Sequence, residues 1–269
     1  MLFFEWIVNL FKIEMKEPAA FGGLHLACLL FVLILTSFLV VRYKDANDST
    51  FRLVIGASFL VMLIFEAAKQ VALTLLSGSY PWDIFPFQLC STPLYVLPLL
   101  ALLPDCRPRD IFASYTMTYA LIGGVAIYLV PSTVFGTGVA LNVQTMVHHG
   151  LQIVTGVYTA AYYRKRINLA FFLGGVSLFA LFYSIANFLN SLFYDVLVSR
   201  GAIGAGAHFN MFNLSPRDGF RVPILSGAFD ALPPSVFIVG YLFVLTAGAA
   251  LLIYAEYFLA NLNTSKQGE

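Results

Sequence analysis

The chain has 269 residues, of which 59% are hydrophobic and only 11% are charged, and its mean hydropathy is +0.83. Soluble domains carry about 25% charged residues, so this composition excludes a soluble globular protein and indicates an integral membrane protein. The formal net charge of +1 provides no basic surface for nucleic acid. Membrane lipids are therefore the expected partners, and the sequence identifies no protein partner.

The first 16 residues have the pattern of a short amphipathic helix. Their large apolar residues recur at helical spacing and comprise Leu2, Phe3, Trp6, Ile7, Leu10 and Phe11. Glu5 interrupts the apolar stretch and the start is not basic, which is atypical of a signal peptide. We predict that residues 1–16 form a helix lying at the membrane interface.

Apolar segments follow along the rest of the chain, each long enough to cross a membrane, which takes roughly 20 residues. They cover residues 21–41, 51–77, 84–103, 111–130, 143–163, 167–193 and 234–259. We therefore predict an all-α polytopic membrane protein. Residues 1–269 would form a single transmembrane domain, in which residues 21–259 make a bundle of about seven transmembrane helices.

The connecting loops alternate in charge. The first, third and fifth loops carry Lys or Arg, whereas the second (78–83) and fourth (131–142) carry neither. The sixth loop departs from the pattern with Arg200, Arg217 and Arg221, but long loops are less bound by the rule. Because cytoplasmic loops collect basic residues, we predict an outside N-terminus and a cytoplasmic C-terminus. The membrane would be the plasma membrane of a bacterium or the endoplasmic reticulum of a eukaryote. Residues 195–233 would form a long outer loop, and loops of that length often serve as lids.

Polar residues inside the predicted segments lie at a common depth. At 1.5 Å of rise per residue, Cys90 lies about 9 Å below the outer surface, and His148 and His149 lie about 8–9 Å below it. Polar groups that share a depth are expected to share a cavity. The predicted lining residues of this cavity are His25, Glu66, Lys69, Gln70, Gln88, Gln152 and Asn187.

A lone thiol and an imidazole pair are the reactive groups of this cavity. Cys90 lies in Phe85-Pro-Phe-Gln-Leu-Cys90-Ser-Thr-Pro93, a segment broken by prolines. A histidine can take the proton of a thiol and later protonate a leaving group, so the pair suits acyl transfer through a thioester. We predict Cys90 as the nucleophile, His148 or His149 as the base, and Gln88, Gln152 or a main-chain N–H as the oxyanion donor.

The two histidines are adjacent and point about 100° apart on a helix, so only one can face the cavity squarely. Gln144, His148 and Gln152 share a helical stripe, which favours an inward His148. Simpler interpretations exist beside the catalytic one. Cys90 can be a small apolar filler. Glu66 and Lys69 can form an ion pair that only lowers the cost of burial.

The segments Pro86-Phe-Gln-Leu-Cys90-Ser and His148-His149-Gly-Leu, with the polar second and sixth segments, resemble the transmembrane protein 164 family. That family includes the bacterial YwaF-type membrane proteins and is distantly related to the androgen-induced threonine/histidine lipid hydrolases. The resemblance covers all seven segments. It implies a cysteine-dependent phospholipid acyltransferase or hydrolase, with Cys90 at the nucleophile position. The Gly-Leu after the histidine pair favours His149 as the base, in disagreement with the stripe.

Other functions are weighed against this one. A transporter or channel would use Glu66, Lys69 and the histidines to line a path, but the inner halves of most segments look apolar. A receptor is disfavoured by the short cytoplasmic loops. A haem would need histidines paired across helices, and His25 with His149 is the pair that could hold one. A metal site needs three or four convergent ligands, so we predict neither a metal nor a cofactor.

Overall fold

A computed structural model describes residues 2–215, 217–218, 227 and 231–265, and the regular structure within them is helical apart from one isolated β-bridge. The longer helices are α1 (Leu2–Phe11), α2 (Gly23–Tyr43), α3 (Asp48–Ser77), α4 (Pro93–Leu102), α5 (Arg107–Leu129), α6 (Val139–Tyr163), α7 (Leu169–Val198) and α8 (Pro234–Ser265). Single π-helical turns interrupt α5 at Thr116–Ala120 and end α7 at Leu192–Val198. The all-α prediction is therefore confirmed for the described residues.

Several helix boundaries follow directly from local sequence. Asn47 caps α3 by accepting a hydrogen bond from the Thr50 amide at 2.9 Å, and Asn168 caps α7 in the same way. Gly78 ends α3 in the left-handed conformation, with φ of +70°. Pro93 starts α4, where a residue without an amide hydrogen is tolerated.

Five helices of the described chain are long and apolar enough to cross a membrane: α2, α3, α5, α7 and residues Ser235–Phe258 of α8. Two predicted segments do not meet that standard. In the third, the prolines leave only the shorter apolar stretch Leu89–Leu102 helical. The fifth forms α6, which is 25 residues long but carries polar residues in its first half. The chain is a multi-pass membrane protein.

Helix α6 lies at the centre of the bundle, in contact with α2, α3 and α5. Glycines allow the closest of these approaches. A β-carbon on Gly124 of α5 would lie 2.7 Å from the His149 carbonyl oxygen, and one on Gly156 of α6 would lie 3.1 Å from the Thr116 carbonyl oxygen. Small residues at such positions let two helices approach within van der Waals contact in a membrane.

The chain after α1 is fastened to the start of α6. The Met15 amide donates to the Thr137 carbonyl at 2.8 Å, and the Val139 amide donates to the Ile13 carbonyl at 3.0 Å. These bonds hold α1 against α3 and α6, with Ile7 buried and Trp6 largely exposed.

Ion pairs join the first, third and fifth loops at the opposite end of the bundle. Arg166 pairs with Asp105 at 2.5 Å, and Arg164 pairs with Asp45. The buried Arg109 pairs with Asp48 at 2.5 Å and donates to the Leu100 carbonyl. The three basic loops therefore lie at the same end of the bundle, as expected for loops that alternate along the sequence with loops lacking Lys and Arg.

Candidate functional site

Cys90 lies in an irregular stretch between α3 and α4. Prolines at positions 81, 86 and 93 prevent a continuous helix there, and only the single turns Trp82–Ile84 and Leu89–Ser91 form. Pro93 has no amide hydrogen for the Leu89 carbonyl, which instead accepts from the Thr92 hydroxyl at 2.7 Å. Cys90 is a free, half-buried thiol in the second of these turns.

Helix α6 brings two side chains onto the main chain of Cys90. His148 Nε2 lies 2.8 Å from the Cys90 carbonyl oxygen, and Gln152 Nε2 donates to the same oxygen at 2.5 Å. Residues four apart share a helix face, so one stripe of α6 supplies both groups. Gly123 of α5 permits this approach, because a β-carbon there would lie 3.1 Å from Gln152 Oε1 and 3.8 Å from the Cys90 α-carbon.

The hydrogen bonds of the two imidazoles define their neutral tautomers. A carbonyl oxygen only accepts, so His148 carries its hydrogen on Nε2. His149 carries its hydrogen on Nδ1, which donates to the Thr145 carbonyl at 2.8 Å. The other nitrogens, His148 Nδ1 and His149 Nε2, are buried and have no partner within the described chain. The centroids of the two rings are 5.6 Å apart.

These contacts of Cys90 run through its carbonyl oxygen rather than its sulfur. Among the described residues, both imidazoles bond main-chain carbonyls and neither bonds the Cys90 sulfur, so the catalytic pairing of thiol and imidazole stays a prediction. The structure brings Cys90, His148 and Gln152 together, with His149 next to them on α6. Lys69 and Glu66 lie near enough to act electrostatically on the thiol.

Glu66 is the centre of a polar network beside Cys90. Its Oε2 pairs with Lys69 Nζ at 2.9 Å and accepts from Gln144 Nε2 at 3.3 Å. Its Oε1 accepts from Gln70 Nε2 at 2.7 Å, and Gln70 also donates to the Ile84 carbonyl at 2.7 Å. The network links α3 to the stripe of α6 that carries His148, because Gln144 lies one turn before it. It also balances the buried charges of the ion pair.

Two amide side chains hold residues 209–215, here called the clamped segment. Gln88 donates to the Asn210 carbonyl at 2.8 Å and accepts from the Phe212 amide at 2.9 Å. Asn190 makes the same pair of bonds with Met211, at 3.0 and 2.8 Å. The bonds hold Phe212 at a φ of +56°, a conformation that costs energy for any residue but glycine.

The clamped segment is buried against the stretch that carries Cys90. The Phe212 ring packs 6.1 Å from Phe87 and the Phe209 ring 5.6 Å from Phe85. The predicted loop 195–233 therefore begins inside α7 and then returns into the protein at this segment. Residues 216, 219–226 and 228–230 of that loop lie outside the described residues.

Two predicted lining residues lie elsewhere. Asn187 is on the exposed face of α7, one position after Ala186 on the buried face, whereas Asn190 is buried. His25 is fully buried in an aromatic pocket, where its Nδ1 accepts from the Phe21 amide at 3.0 Å and its ring lies 5.6 Å from Tyr128. Sequence reasoning missed the role of Asn190, for which the only signal was a polar residue in an apolar helix.

No group of three or more His, Cys, Asp or Glu residues in the described ranges converges to hold a metal ion. No curated protein and no solved structure matches the chain. A model of the TMEM164 family matches residues 19–254, and the chain belongs to that family.

Proposed function

We propose that the protein is a membrane-embedded acyltransferase or acyl hydrolase that acts on phospholipid esters through Cys90. The observation that supports this most is the pair of neutral imidazoles beside Cys90, each with a buried, unpartnered nitrogen. Buried polar atoms are normally hydrogen-bonded, so two unsatisfied bases next to a free thiol call for an explanation. Proton transfer during catalysis supplies one.

His149 is the proposed base, and His148 is the proposed positioning residue. The Nδ1–H of His149 is fixed by its own helix, which leaves Nε2 at the free end of the ring. A ring held through one nitrogen with the other free is the arrangement that a base needs. His148 uses its hydrogen to hold the Cys90 carbonyl. This assignment agrees with the motif and sets aside the stripe argument for His148 as the base.

In the first half-reaction, His149 takes the Cys90 proton and the sulfur attacks the carbonyl carbon of a phospholipid ester. The C–O bond breaks, the imidazolium gives its proton to the leaving alcohol oxygen, and the acyl chain stays on sulfur as a thioester. In the second, an acceptor alcohol or water gives its proton to the imidazole and attacks the thioester, which releases the thiolate. The departing thiolate recovers the proton.

Gln152 is the proposed oxyanion donor. Its amide nitrogen carries two hydrogens, and the bond to the Cys90 carbonyl uses only one of them. Gln88 fits this role less well, because its amide is engaged on both sides by the clamped segment. An amide already fixed in place stabilises developing negative charge without reorganisation.

The experiment measures phospholipid turnover by the purified protein in phosphatidylcholine vesicles. We expect Cys90→Ser to remove most activity, because a serine hydroxyl gives up its proton far less readily than a thiol and is the weaker nucleophile. Cys106→Ser is the matched control and keeps full activity, since Cys106 lies in a loop before α5. Full activity in the Cys90→Ser variant would refute the thioester.

The proposed topology is a single transmembrane domain with seven crossings, in which residues 84–103, including α4, and helix α6 add two crossings to the five helices that meet the length and apolarity of a span. The N-terminus is outside, with α1 at the interface, and the C-terminus is cytoplasmic. The ion pairs that gather the three basic loops on one side support this arrangement. Cysteines placed at positions 164–166 should react only from the cytoplasmic side; reaction from outside reverses the orientation.

A transporter or channel is the second candidate, supported by polar groups that continue inward from the site. Thr155, Thr159 and Tyr163 of α6 are buried, and the hydroxyls of Thr159 and Tyr163 have no partner within the described chain. They lead towards Arg109 at the inner end. Proton flux into vesicles containing the Cys90→Ser variant, absent from protein-free vesicles, would favour this function.

A further inference from the structure

A groove of about 870 Å³ lies between α1 and the outer part of α3. Its walls are mainly apolar, with Phe4 and Val8 on one side and Val71 and Leu75 on the other. The volume lies within the range of small-molecule binding sites, about 300–1,000 Å³. An apolar groove of this size between helices is suited to a hydrocarbon chain.

One end of the groove carries a cation, Lys12. Lys12 lines the groove, and none of the ion pairs formed by the described residues includes it. Glu5 lines the groove two helical turns earlier on α1. An exposed lysine beside an apolar groove favours an amphiphile that has an anionic group attached to a hydrocarbon chain.

The other side of the groove reaches the candidate site through Gln70. Gln70 lines the groove and donates to Glu66 and to the Ile84 carbonyl, which begins the stretch leading to Cys90. Glu66 in turn contacts Gln144 on the stripe of His148. A molecule in the groove is therefore separated from the polar network by one side chain.

We propose that this groove binds a glycerophospholipid, with one acyl chain between α1 and α3 and the phosphate at Lys12. The inference rests on the proposed function in one respect, namely that the bound lipid is the substrate on its way to Cys90. It makes α1 one wall of the binding site as well as an interfacial helix. A larger side chain that fills the groove should exclude the acyl chain without contacting Cys90.

The experiment uses the full chain in phosphatidylcholine vesicles that contain a phosphatidylcholine with a photoreactive acyl chain. After irradiation, peptide mass spectrometry compares the labelling of Phe4, Val8, Val71 and Leu75 with that of exposed apolar residues on α2, such as Leu33 and Ile34. We expect stronger labelling in the groove. Equal labelling at the two places would overturn the proposal, because every lipid-facing residue meets lipid.

Two variants sharpen the result. Val71→Trp should reduce groove labelling to the level of the α2 residues, whereas Ile64→Trp on the exposed face of α3 should leave it unchanged. With a photoreactive phosphatidylglycerol as the probe, Lys12→Gln, which changes only a surface residue, should lower groove labelling roughly fivefold, because a lysine near anionic lipid contributes about 1 kcal/mol. Unchanged groove labelling in both Val71→Trp and Lys12→Gln would contradict the proposal that the groove binds a glycerophospholipid.

A separate readout distinguishes failure of the groove from failure of the enzyme. Groove labelling should persist in Cys90→Ser, because binding precedes chemistry. Hydroxylamine-sensitive acylation of Cys90 is measured in the same samples of the unaltered chain. Acylation without groove labelling rejects the groove alone, whereas groove labelling without acylation rejects the proposed chemistry and leaves the groove as a lipid-binding site.

Discussion

At the scale of single residues, the two histidines differ in their hydrogen bonds, and the different tasks that we propose for them rest on this difference. His148 donates a hydrogen bond to the Cys90 carbonyl oxygen, and His149 donates one to the Thr145 carbonyl oxygen of its own helix. Within the described chain both leave one nitrogen without a partner, but only the His149 ring makes no hydrogen bond to Cys90, the residue that we propose it activates. The difference is invisible in sequence, where the two residues are neighbours of identical chemistry.

This division of roles predicts unequal effects of the same substitution. His149→Gln removes the proposed base, and turnover should fall by about 10²–10⁴-fold. His148→Gln keeps an amide donor in reach of the Cys90 carbonyl, so we expect a smaller loss, with slower alkylation of Cys90 by a maleimide as the sign of disturbed positioning. Steady-state turnover of both variants checks the ranking, and a larger loss for His148→Gln would exchange the two roles.

At the scale of helices, the site depends on how closely α5 approaches α6. Gly123 and Gly124 give α5 no side chain where it meets Gln152 and the His149 carbonyl. The same approach holds the Cys90 turn between the two helices. A close approach made possible by glycines leaves no periodic pattern of apolar residues in the sequence. The apolar pattern therefore predicts the helix α5 but not its distance from α6.

Gly124→Ala tests this approach. The new methyl would meet the His149 carbonyl at 2.7 Å, so the helices must separate, at a cost of about 1–3 kcal/mol. Gly56→Ala is the matched control inside a helix, because its methyl would meet Ala101 at an ordinary 3.8 Å. Thermal unfolding in detergent should show a lower Tm for Gly124→Ala only; equal Tm values would show that the approach is not tight.

Ion pairs between loops predict how the basic end responds to acid. Arg166 holds the pKa of Asp105 below its usual range through a hydrogen-bonded ion pair, and Arg164 does the same for Asp45. Since the folded pKa is lowered, the stabilisation is present above the unfolded pKa of about 3.9 and is lost as pH falls through the folded value. These groups are exposed, so each pair contributes at most about 1 kcal/mol.

Asp105→Asn should therefore lower the Tm slightly at pH 7 and have no effect at a pH below the folded pKa of Asp105, where the carboxyl is already protonated. Unfolding curves of the two proteins between pH 7 and pH 2 provide the measurement. A Tm difference that persists at the acid end would show that Asp105 stabilises the loop by something other than its charge.

At the scale of the whole molecule, the sequence predicts the positions of the helices better than it predicts the contacts between segments that are distant in the chain. Apolar length gives the positions of α2, α3, α5 and α7, and helical periodicity places His148 and Gln152 on one face. The sequence does not predict the clamped segment, because Gln88 and Asn210 are 122 positions apart and come into contact only after the helices pack. Asn187 and Asn190 show the same limit, since a small change in helix rotation decides which one is buried.

The central claim is that Cys90 carries an acyl group during turnover. The most direct measurement incubates the purified protein with an acyl-labelled phospholipid, quenches it in acid and searches peptides for label that hydroxylamine removes. The account predicts label on Cys90 in the unaltered protein, and none on Cys90 in His149→Gln. Turnover of the phospholipid without any acyl group on Cys90, or label that hydroxylamine does not remove, would contradict the account.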